Sequence, residues 1–275
     1  SKTIQDGDET RLPLEGLQVL LAEDNTINAQ IFVHMMDRWG ARVTVAGNGQ
    51  EAVEIACSMD FDIIFMDCQM PELDGYGATR ELRQFIKDGS MKPVPIIALT
   101  ANAMKGDREK CLAAGMDDYL SKPAQARDIA AIVRRWITHQ KTEPGAQRGR
   151  VAARQNAVTT ETPSMPLIDR ALYNECADIL GPSHGAVVID FIDRLAAMLN
   201  QLAFSIAHGQ YQSTAKLVHP FKSSAAQLGA VAVSKLCRRI ELKTRDIPAD
   251  EVKADELADL LVDLRDIAEQ TSTKL

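Results

Sequence analysis

Three acidic residues, a hydroxyl and an ammonium recur at the ends of short apolar runs. Glu23 and Asp24 follow one run in LLAEDN, and Asp67 follows another in IIFMDCQMPELDG. Thr100 ends a third in IIALTAN, and Lys122 follows the last in DDYLSKP. Three carboxylates crowded together repel, so at neutral pH they call for a hard divalent cation or for raised pKa values. Mg²⁺ suits a mouth of oxygen ligands that leaves room for waters and a phosphate. A carboxylate can act as nucleophile towards a phosphoryl group, giving an acyl phosphate. The charge developing on the equatorial oxygens then needs donors: a metal, an ammonium, a hydroxyl or backbone N–H groups. A single Asp after a strand is ordinarily a cap or turn residue. Matches at the ends of four such strands, in this order, shift the balance to chemistry.

The elements that must hold these groups follow from the pattern around them. LQVLLA, ARVTVA, FDIIFM, PIIALT and MDDYL are short runs rich in Val and Ile, mostly bounded by turn residues. They read as strands buried on both faces, as a parallel sheet requires. Helix-period segments lie between them. Ile129, Ile132, Val133, Trp136 and Ile137 define one apolar stripe, and Ile27, Ile31, Met35 and Trp39 another. Alternation of this length predicts a doubly wound α/β domain with a five-stranded parallel sheet. Its ligands bind at the carboxyl ends of the strands.

Residues 17–138 resemble a response-regulator receiver domain of the flavodoxin-like fold, of the kind found in hybrid sensor kinases. LLAEDN, MDCQMPELDG, ALTAN and YLSKP carry the resemblance. It implies that Asp67 accepts phosphate, and that Glu23, Asp24, Asp67 and the backbone carbonyl of Gln69 hold Mg²⁺. It further implies that Lys122 pairs with Asp67 and the phosphoryl group, that Thr100 moves in to bond a phosphoryl oxygen, and that Tyr119 rotates as the switch aromatic. A cis Lys122–Pro123 peptide would accompany this. Gln69 and Asn102 either gate the water that hydrolyses the phosphoaspartate or are solvated loop side chains. Cys68 reads as a small packed side chain rather than a redox group, and Asp74–Gly75 as a turn.

The stretch 139–166 is rich in Gly, Pro, Gln and Thr and nearly free of large apolar residues. It reads as a mobile tether of about 25 residues whose ends, as a flexible coil, sit ~25–30 Å apart. Residues 1–16 read as a polar tail.

Residues 167–275 show helical periods only. Val188, Phe191, Leu195, Met198 and Leu202 mark one stripe; Val233, Leu236, Cys237 and Ile240 a second; Leu257, Leu260, Leu261, Leu264 and Ile267 a third. Gly181-Pro182-Ser183 stops one helix and caps the next. An all-α antiparallel bundle is expected. Within AKLVHPFKSSAAQLGA, Val218, Phe221, Ala225 and Leu228 face the core, and His219, Lys222, Ser223 and Ala226 share the adjacent, more exposed face. That face offers an imidazole to a partner, with an ammonium one turn away and small side chains below. His34, His139, His184 and His208 lack this setting.

This stretch resembles a histidine-phosphotransfer domain, whose motif runs His-x-hydrophobic-Lys-Gly/Ser-Ser. The resemblance implies that His219 is a phosphoacceptor with Lys222 and Ser223 around it. Ser223 stands where Gly is frequent. Pro220, inside the helix, removes a backbone donor and should bend that turn.

The 275 residues carry a formal charge of -7. Residues 1–140 have 15 basic against 21 acidic side chains, and residues 166–275 have 12 against 15. Neither part has the basic excess of a nucleic-acid binder, and no run is long enough to span a membrane. Five scattered cysteines with no CxxC pair fit a reducing cytoplasm. The polar start without Met suggests either a piece of a longer parent, one that membrane anchoring elsewhere would suit, or a trimmed N-terminus.

The combined reading is a phosphorelay segment, resembling the C-terminal part of a hybrid sensor histidine kinase. A kinase phosphohistidine donates to Asp67, and His219 exchanges phosphate with a response-regulator receiver. No P-loop or second α/β domain is present to take phosphate from ATP. A phosphohydrolase with an Asp nucleophile would want a second Asp two positions on, where Gln69 stands. A DNA-binding output domain is disfavoured by charge. The remaining alternative is a helical module that only docks a partner, with His219 never phosphorylated.

Overall fold

A computed structural model describes residues 14–100, 105–140, 166–245 and 252–275. Strands β1 (Gln18–Ala22), β2 (Arg42–Ala46), β3 (Ile63–Asp67), β4 (Ile96–Thr100) and β5 (Asp118–Ser121) form one parallel sheet in the order β2-β1-β3-β4-β5. Helices α1 (Thr26–Arg38), α2 (Gly49–Ser58), α3 (Gly75–Lys87), α4 (Lys105–Ala114) and α5 (Ala126–Gln140) link and follow the strands. The order reverses between β1 and β3, and the crevice at that switch point opens at the strands' carboxyl ends.

Period-two alternation divides the central strands between the two layers. Val19, Leu21, Ile63, Phe65, Ile97 and Leu99 pack with α1 and α5, while Leu20, Ile64, Met66, Ile96 and Ala98 pack with α2, α3 and Cys111 of α4. Burying an Ile or Phe fully contributes roughly 1.5–3 kcal/mol, so these strands anchor the mouth firmly. Burial on both faces does not extend to the edges. Val45 of β2 is 38 % exposed, and β5 is only half-buried, because each lacks a neighbouring strand on one side.

Helix α1 is apolar on two sides. Phe32 meets Phe65 of the sheet, ring centroids 4.9 Å apart and 62° inclined. Ile31 and Met35, from the stripe read in the sequence, instead line a narrow cleft with Leu172, Cys176 and Ile179 of the second half. The sheet's core on this side therefore continues into the core of the bundle.

The bundle comprises α6 (Arg170–Leu180), α7 (His184–Ala207), α8 (Tyr211–Gln227), α9 (Val231–Thr244) and α10 (Ala254–Ser272). Short connections favour antiparallel neighbours. All three expected stripes face the core, with Leu261 and Ile267 at its margin. Gly181–Ser183 is a 3₁₀ turn as the stop signal implied, but Ser183 makes no side-chain cap bond because its backbone is already helical. At Gly229 (φ +75) a Cβ would stand 2.6 Å from the Asp169 carbonyl oxygen, so only glycine lets the α8–α9 turn seat against α6. α8 runs unbroken through Pro220, whose carbonyl accepts from the hydroxyls of Ser223 (3.2 Å) and Ser224 (3.1 Å).

α5 continues to Gln140, past the expected domain end at 138. Asn102 and the stretch 141–165 of the expected tether lie outside the described residues.

Candidate functional site

Glu23 and Asp24 follow β1, Asp67 ends β3, Thr100 ends β4 and Lys122 follows β5, so the sheet brings all five to one mouth. Carboxylate oxygens of Glu23, Asp24 and Asp67 lie within 4.8 Å of one another. The Lys122 Nζ bridges two of these acids, 2.6 Å from Asp67 Oδ2 and 2.5 Å from Glu23 Oε2. Asn28, on the first turn of α1, donates its Nδ2 to Glu23 Oε1 at 2.9 Å. Thr100 is buried one position beyond the register partner of Asp67.

One lysine does not neutralise three acids. Burial, opposed by Lys122 and reinforced by Asp67, pushes the Glu23 carboxyl up to about 7. Burial and Asp67 likewise raise Asp24. Lys122 is held above its ordinary pKa: its own burial acts against the charged form, but Asp67 and Glu23 outweigh it. Surplus negative charge on clustered hard oxygen donors fits a divalent cation of the Mg²⁺ type.

The surrounding backbone closes tightly. Gln69 donates its N–H to Asp67 Oδ1 at 3.1 Å. Asp74 and Gly75 are more than a turn: the Asp74 carboxylate caps α3 by accepting from the Gly77 N–H at 2.7 Å. A Cβ on Gly75 would stand 2.0 Å from the Asp67 carbonyl oxygen, so glycine lets α3 begin against the strand that carries Asp67. Cys68 is buried, its Sγ 3.8 Å from that of Cys111, and that hydrogen bond together with burial raises its pKa, as a packed thiol should show. Tyr119 is half-buried, with the Arg108 guanidinium 5.9 Å from its ring centroid.

His219 does not stand open to solvent. Its side chain is 19 % exposed, and its Nδ1 lies 2.6 Å from Oε1 of Glu241, a buried carboxylate on α9. Lys222, one turn from His219, is paired with Glu241 Oε2 at 2.5 Å. Arg245 reaches Glu241 Oε1 at 2.8 Å. Burial alone would raise the Glu241 pKa, but the hydrogen bonds from His219 and Lys222 and the charges around it hold the carboxyl at about 2.

The face carrying His219 is covered by α1 of the first half. Asn25 accepts from the N–H groups of Ile27 and Asn28, capping α1, while its Nδ2 donates to the Pro220 carbonyl (2.9 Å) and to Ser224 Oγ (2.7 Å). The Asn28 Nδ2 donates to Ser223 Oγ at 2.9 Å as well as to Glu23. Arg245 donates to Gln69 Oε1 at 3.2 Å, so the Gln69 amide bonds across the domain boundary rather than lying free in a solvated loop. Arg38 donates to the Asp178 carbonyl at 2.8 Å. His219 is close enough to the acid mouth for a charge on its ring to oppose, without reversing, the burial and the Asp67 charge that raise Asp24.

The family model described as a response regulator receiver domain matches residues 19–134, and the Hpt domain model matches residues 186–267. The chain thus carries a receiver domain at residues 19–134 and an Hpt domain at residues 186–267, two modules of two-component signalling. Its receiver is 48% identical to the receiver domain of sensor histidine kinase PA1611 from Pseudomonas aeruginosa, a structure with a magnesium ion in its active-site cleft. That match covers 45% of this chain and 98% of that one, with a TM-score of 0.41. Sensor histidine kinase GacS of Pseudomonas protegens is 29% identical over 88% of this chain and 26% of its own length. Signal transduction histidine-protein kinase BarA of Escherichia coli K12 is 27% identical over 96% of this chain and 28% of its own length. The chain thus spans little more than a quarter of these curated relatives. Among the described residues no helix is long and apolar enough to cross a membrane.

The sequence reading singled out the receiver's acids and the Hpt histidine but missed Asn25, Asn28, Ser224, Glu241 and Arg245. Asn28 carried a signal: it stands one helical turn from Asp24, at i+4. Glu241 carried another, as a charged residue beside Ile240 on the apolar stripe of α9, with Arg245 four positions on.

Proposed function

We propose that this chain is a phosphorelay segment in which receiver Asp67 takes a phosphoryl group from a kinase phosphohistidine and passes it to His219 of its own Hpt domain. His219 then exchanges it with a separate response-regulator receiver. The observation that carries this reading is the pair of hydrogen bonds from Asn25, the neighbour of Asp24, to Ser224 and to the carbonyl of Pro220, the neighbour of His219. They dock the phosphohistidine helix on the mouth that holds Asp67.

An Asp67 oxygen attacks the phosphorus of the donor, and the donor's N–P bond breaks with its electron pair returning to the imidazole. Lys122, already bound to Asp67, balances charge on the phosphoryl oxygens, and Thr100 supplies a hydroxyl donor from β4. Glu23, Asp24 and Asp67, with the Gln69 carbonyl, would hold Mg²⁺, which supplies charge neutralisation at the transferring oxygens. In the second transfer the His219 ring attacks, and the P–O bond to Asp67 breaks. The stretch between α5 and α6 serves as the tether, and five cysteines present as thiols support a cytoplasmic setting.

The test is incubation with a small-molecule acyl phosphate and Mg²⁺, followed by mapping the label in wild type, Asp67→Asn and His219→Gln. Base-stable label, as a P–N bond gives, that requires both residues is the expected result. Base-labile label confined to Asp67 and unchanged by His219→Gln would leave the Hpt domain as a docking module and remove the second half of the proposal.

A further inference from the structure

We infer that Ser223 is a positioning residue for the acid mouth of the other domain: its hydroxyl holds Asn28, Asn28 holds Glu23, and docking of the Hpt helix thereby raises the mouth's affinity for its cation. This rests on the reading of that mouth as a Mg²⁺ site, and adds to it a group outside the receiver that tunes it.

The Asn28 side chain has two N–H donors and one carbonyl, and all three are engaged. Its Nδ2 donates to Glu23 Oε1 and to Ser223 Oγ, each at 2.9 Å, and its Oδ1 accepts from the Ser224 hydroxyl at 3.3 Å. The amide cannot turn over without loss, because Oδ1 would then face an ionised Glu23, which only accepts. Glu23 thus decides which edge of Asn28 meets the Hpt helix, and that helix must answer with an acceptor at 223 and a donor at 224. Ser223 does so: its own proton goes to the Pro220 carbonyl at 3.2 Å, which leaves its lone pairs for Asn28. A glycine at 223, frequent in the motif, offers no acceptor there. Asn28 is 4 % exposed, so solvent does not readily replace the lost partner.

The same bonds reach the metal acids. Glu23 is held by Lys122 at Oε2 and by Asn28 at Oε1, where an oxygen of it lies within 4.8 Å of those of Asp24 and Asp67. Fixing Asn28 from the Hpt side takes away the freedom of Glu23 to swing out of the cluster. Ligands already in place bind more tightly, because less ordering is left to be done on binding. Docking and cation binding are then coupled, and the coupling runs in both directions. Asp24 makes no bond in this chain of contacts, so the hydroxyl at 223 acts on the mouth through Asn28 and Glu23 alone.

Calorimetric titration of the full chain with MgCl₂ reads this directly, in wild type, Ser223→Ala, Asn28→Ala and the double variant. Ser223→Ala removes the hydroxyl and leaves a good helix former. It should weaken Mg²⁺ binding roughly 2- to 10-fold, the worth of one net hydrogen bond. In the Asn28→Ala chain the same substitution should weaken binding no further, since the path is already cut there. Equal or tighter binding in Ser223→Ala overturns the inference, as does an undiminished effect of Ser223→Ala in the Asn28→Ala chain. If Asn28→Ala loses its circular dichroism, the comparison of wild type with Ser223→Ala decides alone. A wild-type chain that takes up no Mg²⁺ would instead remove the reading of the mouth as a metal site. Mg²⁺ uptake that ignores residue 223 removes only the role of Ser223.

Discussion

Lys122 is ion-paired with Glu23 and Asp67, while its charge only partly offsets the burial that raises Asp24, and that division predicts how the mouth responds to metal. Glu23 is further satisfied by Asn28, whereas Asp24 is half-buried and carries a raised pKa from burial and from Asp67. A divalent cation therefore gains most from Asp24. Mg²⁺ at a hundredfold excess over its dissociation constant stabilises the folded state by about 2.7 kcal/mol. Thermal unfolding of the wild-type receiver should shift upward by several degrees on adding Mg²⁺, and the shift should vanish on chelation. Asp24→Asn should lose most of this shift while raising stability slightly in metal-free buffer, since it removes one repelling charge. An equal Mg²⁺ shift in Asp24→Asn would exclude Asp24 from the metal site.

At the level of elements, α1 has three tasks: its Phe32 side closes the sheet core, its Asn25 cap hooks α8, and Ile31 and Met35 cover α6. Met35→Glu places a charge between Leu172, Cys176 and Ile179, where no basic partner lines the cleft. Burying it unpaired costs several kcal/mol, a penalty that parting the domains relieves. Small-angle scattering should show a larger radius of gyration for Met35→Glu, with both domains still folded by circular dichroism. An unchanged radius would mean that the apolar contact does not hold the halves together.

The same helix shows how far the sequence could be read. Its apolar spacing gave Ile27, Ile31, Met35 and Trp39 as buried, and all four are. Spacing reports that a face is covered and not by what, so the second domain's claim on Ile31 and Met35 stayed hidden. The strand-end acids, Thr100 and Lys122 were legible because a parallel sheet with period-two strands leaves their placement little freedom. His219 was legible from its neighbours in α8. Glu241 was marked only as a charge on the apolar stripe of α9, because its meeting with His219 depends on the packing of α9 against α8, which local periodicity does not encode. Lys222 shows the converse: its type and spacing were read correctly, and its partner was not.

For the whole molecule, the covering of the His219 face by its own receiver would set the order of the proposed relay. A downstream receiver that approached His219 from the face that Asn25 and Asn28 occupy would compete with it, so the intrachain complex would open between loading and delivery. Competition of this kind favours the domain carried on the same chain, because joining two modules turns their meeting into an intramolecular event with a raised effective concentration. Transfer from Asp67 to His219 should accordingly be first order, with a rate independent of protein concentration at micromolar levels. Mixing Asp67→Asn with His219→Gln separates the two routes, since only transfer between chains can then place base-stable phosphate on a histidine. The mixture should label His219 far more slowly than wild type, in proportion to the concentration of the loaded His219→Gln chain, because its Asp67 must displace the receiver already docked on the acceptor. Adding Met35→Glu to the Asp67→Asn chain should relieve that block and speed labelling from the second chain. Labelling of the unmodified mixture at the wild-type rate would show that the docked state is no barrier and that the relay runs between molecules.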